Sequence, residues 1–203
     1  DKVLSGYGEK QLTPLLSGQL GYNSKEKGIE YNPIKANSSL ESMGWKKSAN
    51  GIREKDGKSL SFRLITIDNY ESKEIAQLLK SQFREIGVNL DIVPVDSEQI
   101  ANNYVNPRNF DLLLMFQNVG FAQDWYSLWH SSQITSPGMN LSGYSDKKLD
   151  RFLEQVRKSN DSAYITERIK QIEKIILEEA PVIYLYRPVH IFAITHQVKG
   201  SEQ

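Results

Sequence analysis

The sequence predicts an α/β fold in which a mixed sheet is flanked by helices. Three observations carry this prediction. Residues 58–95 show strand, helix and strand patterns in turn, the run FDLLLMF has the length and apolarity of a buried strand, and residues 145–179 carry two apolar stripes at helical spacing. A strand–helix–strand unit most often forms a parallel pair with a right-handed crossover, so part of the sheet should be parallel.

The first 44 residues are polar and rich in glycine, and they predict loops with short helical pieces. NPIKANSSLESMGW predicts one short helix that buries Ile34, Leu40 and Met43 and ends at Gly44. We therefore divide the chain into a loop-rich opening segment, residues 1–44, and a lobe core, residues 45–200, within a single α/β lobe over 1–203.

The strand–helix–strand unit follows a tight-turn signal at Asp56-Gly57. Apolar residues then alternate with polar ones, as in a half-buried strand. Ser72 is the predicted N-cap of the following helix, and Gly87 its end. VNLDIVPV is the predicted second strand of the unit.

The remaining elements are two helical segments, a central strand and a closing pair of strands. SEQIANNYV predicts a short helix, and FDLLLMF predicts a buried central strand. Ser145 is the predicted cap of one helix, and Pro181 ends the next one. VIYLY and HIFAIT predict two strands around Arg187-Pro188.

Composition excludes several classes of function. The chain has 25 basic and 25 acidic residues, without the basic excess of a nucleic-acid-binding domain. It has no cysteine, so thiolate chemistry and disulfides are absent. Of its three histidines, His190 and His196 fall on one predicted strand about 20 Å apart, too far to share a metal ion. We predict no metal and no cofactor.

The segment GFAQDWYSLWHSSQI allows two interpretations beyond a packed loop. Asp124 and His130, with Ser131 or Ser132, could form a hydrolytic site, although no nucleophile-elbow pattern is present. The alternative is a binding wall, because ligands of open α/β sheets bind beyond the carboxyl ends of the strands. We favour the binding wall and predict that the segment contains no catalytic residues. The candidate ligand-binding residues are Gln117, Asn118, Gly120, Phe121, Asp124, Trp125 and Asn140.

The C-terminal half also resembles a known family. DWYSLWHSSQI, GMNLSGYSDKKLDRFLEQVRKS and ERIKQIEKIILEEAPVIYLYRPVHIFAI follow in order the C-terminal lobe of bacterial extracellular solute-binding proteins of the oligopeptide, dipeptide and nickel class, family 5. Upstream, KANSSLESMGWKKSANGIREKDGKSLSFRLIT is similar to another segment of that family. The resemblance covers residues 28–200.

The resemblance implies one lobe of a two-lobed flytrap fold, like that of periplasmic binding proteins, and hence a fragment of a longer chain. It implies an extracytoplasmic protein, periplasmic or anchored to the cell surface by lipid. Such a protein captures peptides between its lobes and delivers them to the membrane permease of an ATP-driven importer. A nickel complex or a sugar is the alternative ligand.

One departure from the family concerns Asp124. The family commonly has Asp-Pro where this chain has Asp124-Trp125, and its peptide binders place an acidic residue for the peptide amino terminus about three positions earlier, which is Phe121 here. Asp124 is therefore either the N-cap of a helical turn in WYSLW or a shifted anchor for a cationic ligand group.

Overall fold

The computed structural model describes residues 3–118 and 124–189 and confirms the α/β class. The helices are α1 Pro33–Ser42, α2 Tyr70–Glu85, α3 Ser97–Ile100, α4 Trp125–Trp129, α5 Lys147–Lys158 and α6 Ser162–Glu179. The strands are β1 Gly8–Lys10, β2 Lys46–Lys47, β3 Arg53–Lys55, β4 Lys58–Ser59, β5 Ser61–Ile67, β6 Asn89–Val95, β7 Leu112–Leu114 and β8 Tyr186–Pro188. Among the described helices, none is long and apolar enough to cross a bilayer.

The main sheet has the order β6-β5-β7 and is parallel throughout its described strands. The predicted strand–helix–strand unit is confirmed, because β5 and β6 pair in parallel from Ser61 with Asn89 to Ile67 with Val95. The prediction that FDLLLMF forms the central strand is wrong for the described part of the chain. Its regular portion, β7, is only three half-buried residues long and pairs on one side with β5, which is the middle strand.

Helix α2 packs on this sheet through Ala76, which touches the cluster formed by Leu64, Val88 and Leu90. Its N-cap is Asn69, whose Oδ1 accepts a 2.8 Å hydrogen bond from the Ser72 amide. The Ser72 cap was therefore predicted three residues too late. Asn69 has the extended backbone that a cap requires, whereas Ser72 is buried inside the first turn.

The second core lies between α4, α5 and α6. It contains Leu15, Trp125, Trp129, Leu149, Leu153, Ile169, Ile172 and Ile176. Leu15 belongs to the opening segment, so that segment also contributes to the core. Helix α5 is capped by Asp146, one residue after the predicted Ser145, because the Asp146 carboxylate accepts from the Leu149 amide at 2.7 Å. Helix α6 ends just before Pro181, as predicted.

The N- and C-terminal portions meet in a two-stranded antiparallel ribbon, β1 with β8, which pairs Glu9 with Arg187. The opening segment was predicted to contain loops, so β1 is a missed strand. The predicted strand in VIYLY contributes only its last residue, Tyr186, to β8, which continues through Arg187 and Pro188. HIFAIT lies outside the described residues.

Helix α1 is present as predicted, but it buries no residue completely. Ile34 and Met43, two of its predicted apolar positions, are 79% and 54% exposed. Leu40 alone packs against the sheet cluster. The turn at Asp56-Gly57 is confirmed: both residues have positive φ, and they join β3 to β4.

Candidate ligand-binding site

The candidate wall begins at the carboxyl edge of the parallel sheet, where β5 and β7 both end. The Thr66 hydroxyl donates to the Leu114 carbonyl at 3.3 Å and ties these ends together. Phe116 follows with 45% of its surface exposed, and Gln117 and Asn118 are exposed as well. Gly120 and Phe121, two further candidates, lie outside the described residues.

An aromatic contact that the sequence did not predict supports Phe116. Its ring meets the Tyr186 ring edge-on, with centroids 5.5 Å apart and planes at 87°. The Tyr186 hydroxyl donates to Glu71 Oε1 at 2.6 Å. Partial burial and this hydrogen bond to Glu71 raise the pKa of Tyr186, so the hydroxyl keeps its proton and remains a donor. The end of the wall is therefore fixed to both β8 and the first turn of α2.

Asp124 caps α4 and also forms an ion pair. One carboxylate oxygen accepts from the Tyr126 amide at 3.2 Å, and the other lies 2.5 Å from Nη2 of Arg157. The Arg157 guanidinium stacks over the Tyr126 ring, 3.9 Å from its centroid. The cap interpretation thus agrees with the geometry, and Arg157 already supplies the positive charge that a ligand amino terminus would bring. The anchor role stays a prediction.

Trp125 and Asn140 are both buried behind the candidate wall. Trp125 is 4% exposed and packs in the second core. Asn140 is 0% exposed, and its amide nitrogen donates to the carbonyls of Trp129, His130 and Tyr144 at 3.2, 3.3 and 3.0 Å. Both side chains are turned away from solvent, so a ligand contact by either one would need the loop to open; that contact remains a prediction.

The structure does not bring Asp124 and His130 together as the hydrolytic interpretation requires, because Asp124 is bound to Arg157. His130 is 8% exposed, and its Nδ1 accepts from the Ser132 amide at 3.1 Å and lies 2.8 Å from the Ser132 hydroxyl. Its Nε2 faces Asp150 and Glu154 at 3.8 and 3.7 Å, beyond hydrogen-bond distance. Asp124 binds Arg157 and does not orient the imidazole. His130 is the cap of the 3₁₀ turn Ser131–Gln133.

Within residues 3–118 and 124–189, no group of three or more histidine, aspartate or glutamate side chains could hold a metal ion. His190 and His196 lie outside these ranges.

The parallel sheet and the helices packed on it define the class as an α/β lobe. The chain belongs to the bacterial extracellular solute-binding proteins, family 5, because the sequence model of that family's middle region matches residues 1–137. The curated oligopeptide-binding protein AppA of Bacillus subtilis is 30% identical over 98% of this chain. The oligopeptide-binding protein OppA of Mycobacterium tuberculosis is 27% identical over 81% of it.

Solved structures share the fold. The structure of AppA from Bacillus subtilis in complex with a nonapeptide covers 92% of this chain, with a TM-score of 0.84 and 30% identity. NikZ from Campylobacter jejuni in complex with Ni(L-His) covers 90% of the chain, with a TM-score of 0.79 and 28% identity. The chain spans only 37% of the curated AppA sequence and 27% of the OppA sequence.

Proposed function

We propose that the chain is part of the substrate-binding component of an ATP-driven importer, one that captures peptides outside the cytoplasm and delivers them to a membrane permease. The observation that carries the proposal is the similarity to AppA over nearly the whole chain, together with the fold shared with the nonapeptide complex. A periplasmic or lipid-anchored location follows from the same proposal.

The exposed edge of the sheet suits an extended peptide. Gln117 and Asn118 each offer both a donor and an acceptor, which can pair with peptide main-chain groups whatever the side chains are. Phe116 offers an apolar face to a peptide side chain, and Tyr186 holds its ring edge-on. We therefore expect contacts with the peptide main chain to supply most of the binding affinity. The preference for particular peptide sequences should be weak.

Closure around the ligand would require a second lobe, which we assign to the part of the family length that this chain does not span. Ligand contacts made by both lobes would favour the closed state over the open one. The permease would then recognise the closed form. No turnover is part of this proposal, because His130 serves as a cap and the Asp124 carboxylate is paired with Arg157.

A nickel complex is the second candidate ligand. The NikZ complex with Ni(L-His) favours it, since its similarity to this chain is nearly as high as that of AppA. The two candidate ligands differ in shape. An extended peptide needs a row of hydrogen-bonding partners along the sheet edge, whereas a compact metal complex does not.

The test is a calorimetric titration of the longer protein that contains this lobe, with a nonapeptide in one arm and nickel–histidine in the other. We expect peptide binding that weakens in the paired variant Gln117→Ala/Asn118→Ala. The matched control is Ile34→Ala on the exposed face of α1. Preferential binding of nickel–histidine would replace the peptide proposal with the second candidate.

The isolated 203-residue chain gives a second test. It supplies one side of the cleft only, so we expect no saturable peptide binding tighter than roughly millimolar, about −4 kcal/mol. Micromolar binding of a peptide to this chain alone would contradict the two-lobed mechanism.

A further inference from the structure

A cleft of about 500 Å³ lies between the loop of residues 23–29 and one face of α6. Its lining residues differ from those of the sheet edge described above. The loop is held in place at Gly28, which has a φ of +61° and packs so closely on Leu12 that a side chain there would meet the Leu12 carbonyl at 2.3 Å. From α6 the cleft is lined by Lys170, Glu173 and Lys174, among others. The cleft is therefore bounded by a fixed loop and a long helix.

Glu173 is the unusual group in this cleft. It is 5% exposed, although it carries a carboxyl group, and it has no hydrogen bond or ion pair to any residue in the described ranges. Its burial, with a smaller contribution from Glu26 across the cleft, raises its pKa to about 7. A buried carboxyl of this kind is destabilising unless something compensates for the lost water.

Tyr184 is a partly buried tyrosine close enough to Glu173 for the charge of that carboxylate to affect it. Its hydroxyl oxygen is buried and finds no hydrogen-bond partner among the described residues. Burial and the negative charge of Glu173 raise the pKa of Tyr184, so the hydroxyl is neutral at physiological pH. Tyr184 does not belong to the lining of the cleft, so Glu173 is the buried polar side chain that a bound molecule could reach there.

We propose that this cleft binds a primary ammonium group, with Glu173 as its anchor. Such a group has three N–H donors. Two of them can be accepted by the carboxylates of Glu173 and Glu26, which both line the cleft, and the third can point to water. A charge-assisted bond to a buried carboxylate is among the stronger hydrogen bonds, and it also neutralises the charge that burial penalises.

The lysines of α6 restrict the ligand further. Lys174 pairs with Glu178 at 3.7 Å, while Lys170 leaves a positive charge at the rim of the cleft. The rim therefore repels a second ammonium, and a small monoamine fits better than a polyamine. This site is separate from the sheet edge and does not depend on the proposed peptide transport.

The probe is n-butylammonium, which keeps its charge between pH 6 and pH 8, titrated calorimetrically into the longer protein that contains this lobe. Binding requires ionised Glu173, whose ionised fraction rises from about 9% at pH 6 to about 91% at pH 8 when its pKa is about 7. We expect saturable binding about tenfold tighter at pH 8 than at pH 6. The binding heat at pH 7 should differ between buffers of different ionisation enthalpy, because a proton is released.

Three variants separate this proposal from nonspecific binding. Glu173→Gln keeps the shape and should abolish both the binding and its pH dependence. Glu167→Gln removes a carboxylate from the same helix, where it only accepts from Gln171 at 3.3 Å, and should change nothing. Glu26→Gln removes the second carboxylate of the cleft lining and should weaken binding several-fold but leave a pH dependence.

Two results would overturn the proposal. One is the absence of saturable binding at pH 8, with n-butanol giving the same heats as the amine. The other is binding whose strength does not change between pH 6 and pH 8 in the wild type. If Glu173→Gln fails to fold, the pH dependence and proton release of the wild type still decide the matter.

Discussion

Replacing Glu173 by glutamine should change how the stability of the chain depends on pH. The carboxyl has a pKa of about 7 in the folded chain and of 4.5 in an unperturbed setting. The folded state therefore binds more protons than the unfolded state between these values, and stability falls as pH rises through that window. Glutamine has nearly the same shape and does not titrate, so this loss is missing from the variant.

The size of the effect follows from the two pKa values. One pKa unit corresponds to about 1.4 kcal/mol, and the full loss approaches roughly 3 kcal/mol above pH 7. Between pH 5 and pH 8 the part that falls within the window is roughly 2–3 kcal/mol. We therefore expect the stability of Glu173→Gln, relative to that of the wild type, to rise by roughly 2–3 kcal/mol from pH 5 to pH 8.

The assay is urea unfolding followed by circular dichroism at pH 5, 6, 7 and 8 for wild type, Glu173→Gln and Glu167→Gln. All other titrating groups are common to wild type and variant, so their contributions cancel in the difference. Glu167→Gln should run parallel to wild type. A Glu173→Gln difference that stays constant to within about 0.5 kcal/mol would show that the carboxyl ionises freely in the folded state.

Three further predictions concern stability and specificity. Ile172→Ala, at a fully buried position of α6, should cost about 2–5 kcal/mol in urea melts; a loss below about 0.5 kcal/mol would place that face against solvent. Asn140→Ala removes the donor to three carbonyls and should cost at least about 2 kcal/mol of stability. The control Asn118→Ala, at an exposed position, should not have this cost. Asp124→Ala should cost about 1 kcal/mol of stability, whereas Asp124→Asn should cost little because both residues cap helices. If Asp124→Asn in the longer protein abolished a preference for free over acetylated peptide amino termini, the anchor role would be established.

Periodic patterns in the sequence predicted the main sheet well. The alternation in SLSFRLIT and the helical stripe that follows it were sufficient for the parallel pairing of β5 with β6. Cap residues were harder to place: Asn69 and Asp146 compete with Ser72 and Ser145, which are equally good cap formers one to three residues away. Local propensity does not resolve such a choice, because the packing of the whole helix decides where it starts.

The candidate site was predicted only in part. That Asp124 begins a helical turn could be read from WYSLW, but its ion pair with Arg157 joins residues 33 positions apart. The contact of Tyr186 with Glu71 spans 115 positions. Neither has a local signal, since each depends on how the helices and the ribbon pack. The burial of Glu173 has the same origin: on a helix that is otherwise amphipathic, the sequence alone suggests an exposed carboxylate.

The burial of Asn140 has a practical consequence for producing the protein. Asn140-Leu141-Ser142 matches the Asn-X-Ser acceptor for N-linked glycans. In the folded chain the nitrogen that would carry the sugar is fully occupied by three carbonyls and has no access to solvent. A eukaryotic secretory host that modified this asparagine before folding would place a bulky sugar inside the loop that the amide closes. Glycosylated and native chains should therefore be mutually exclusive populations, which makes a bacterial host the appropriate source of folded material.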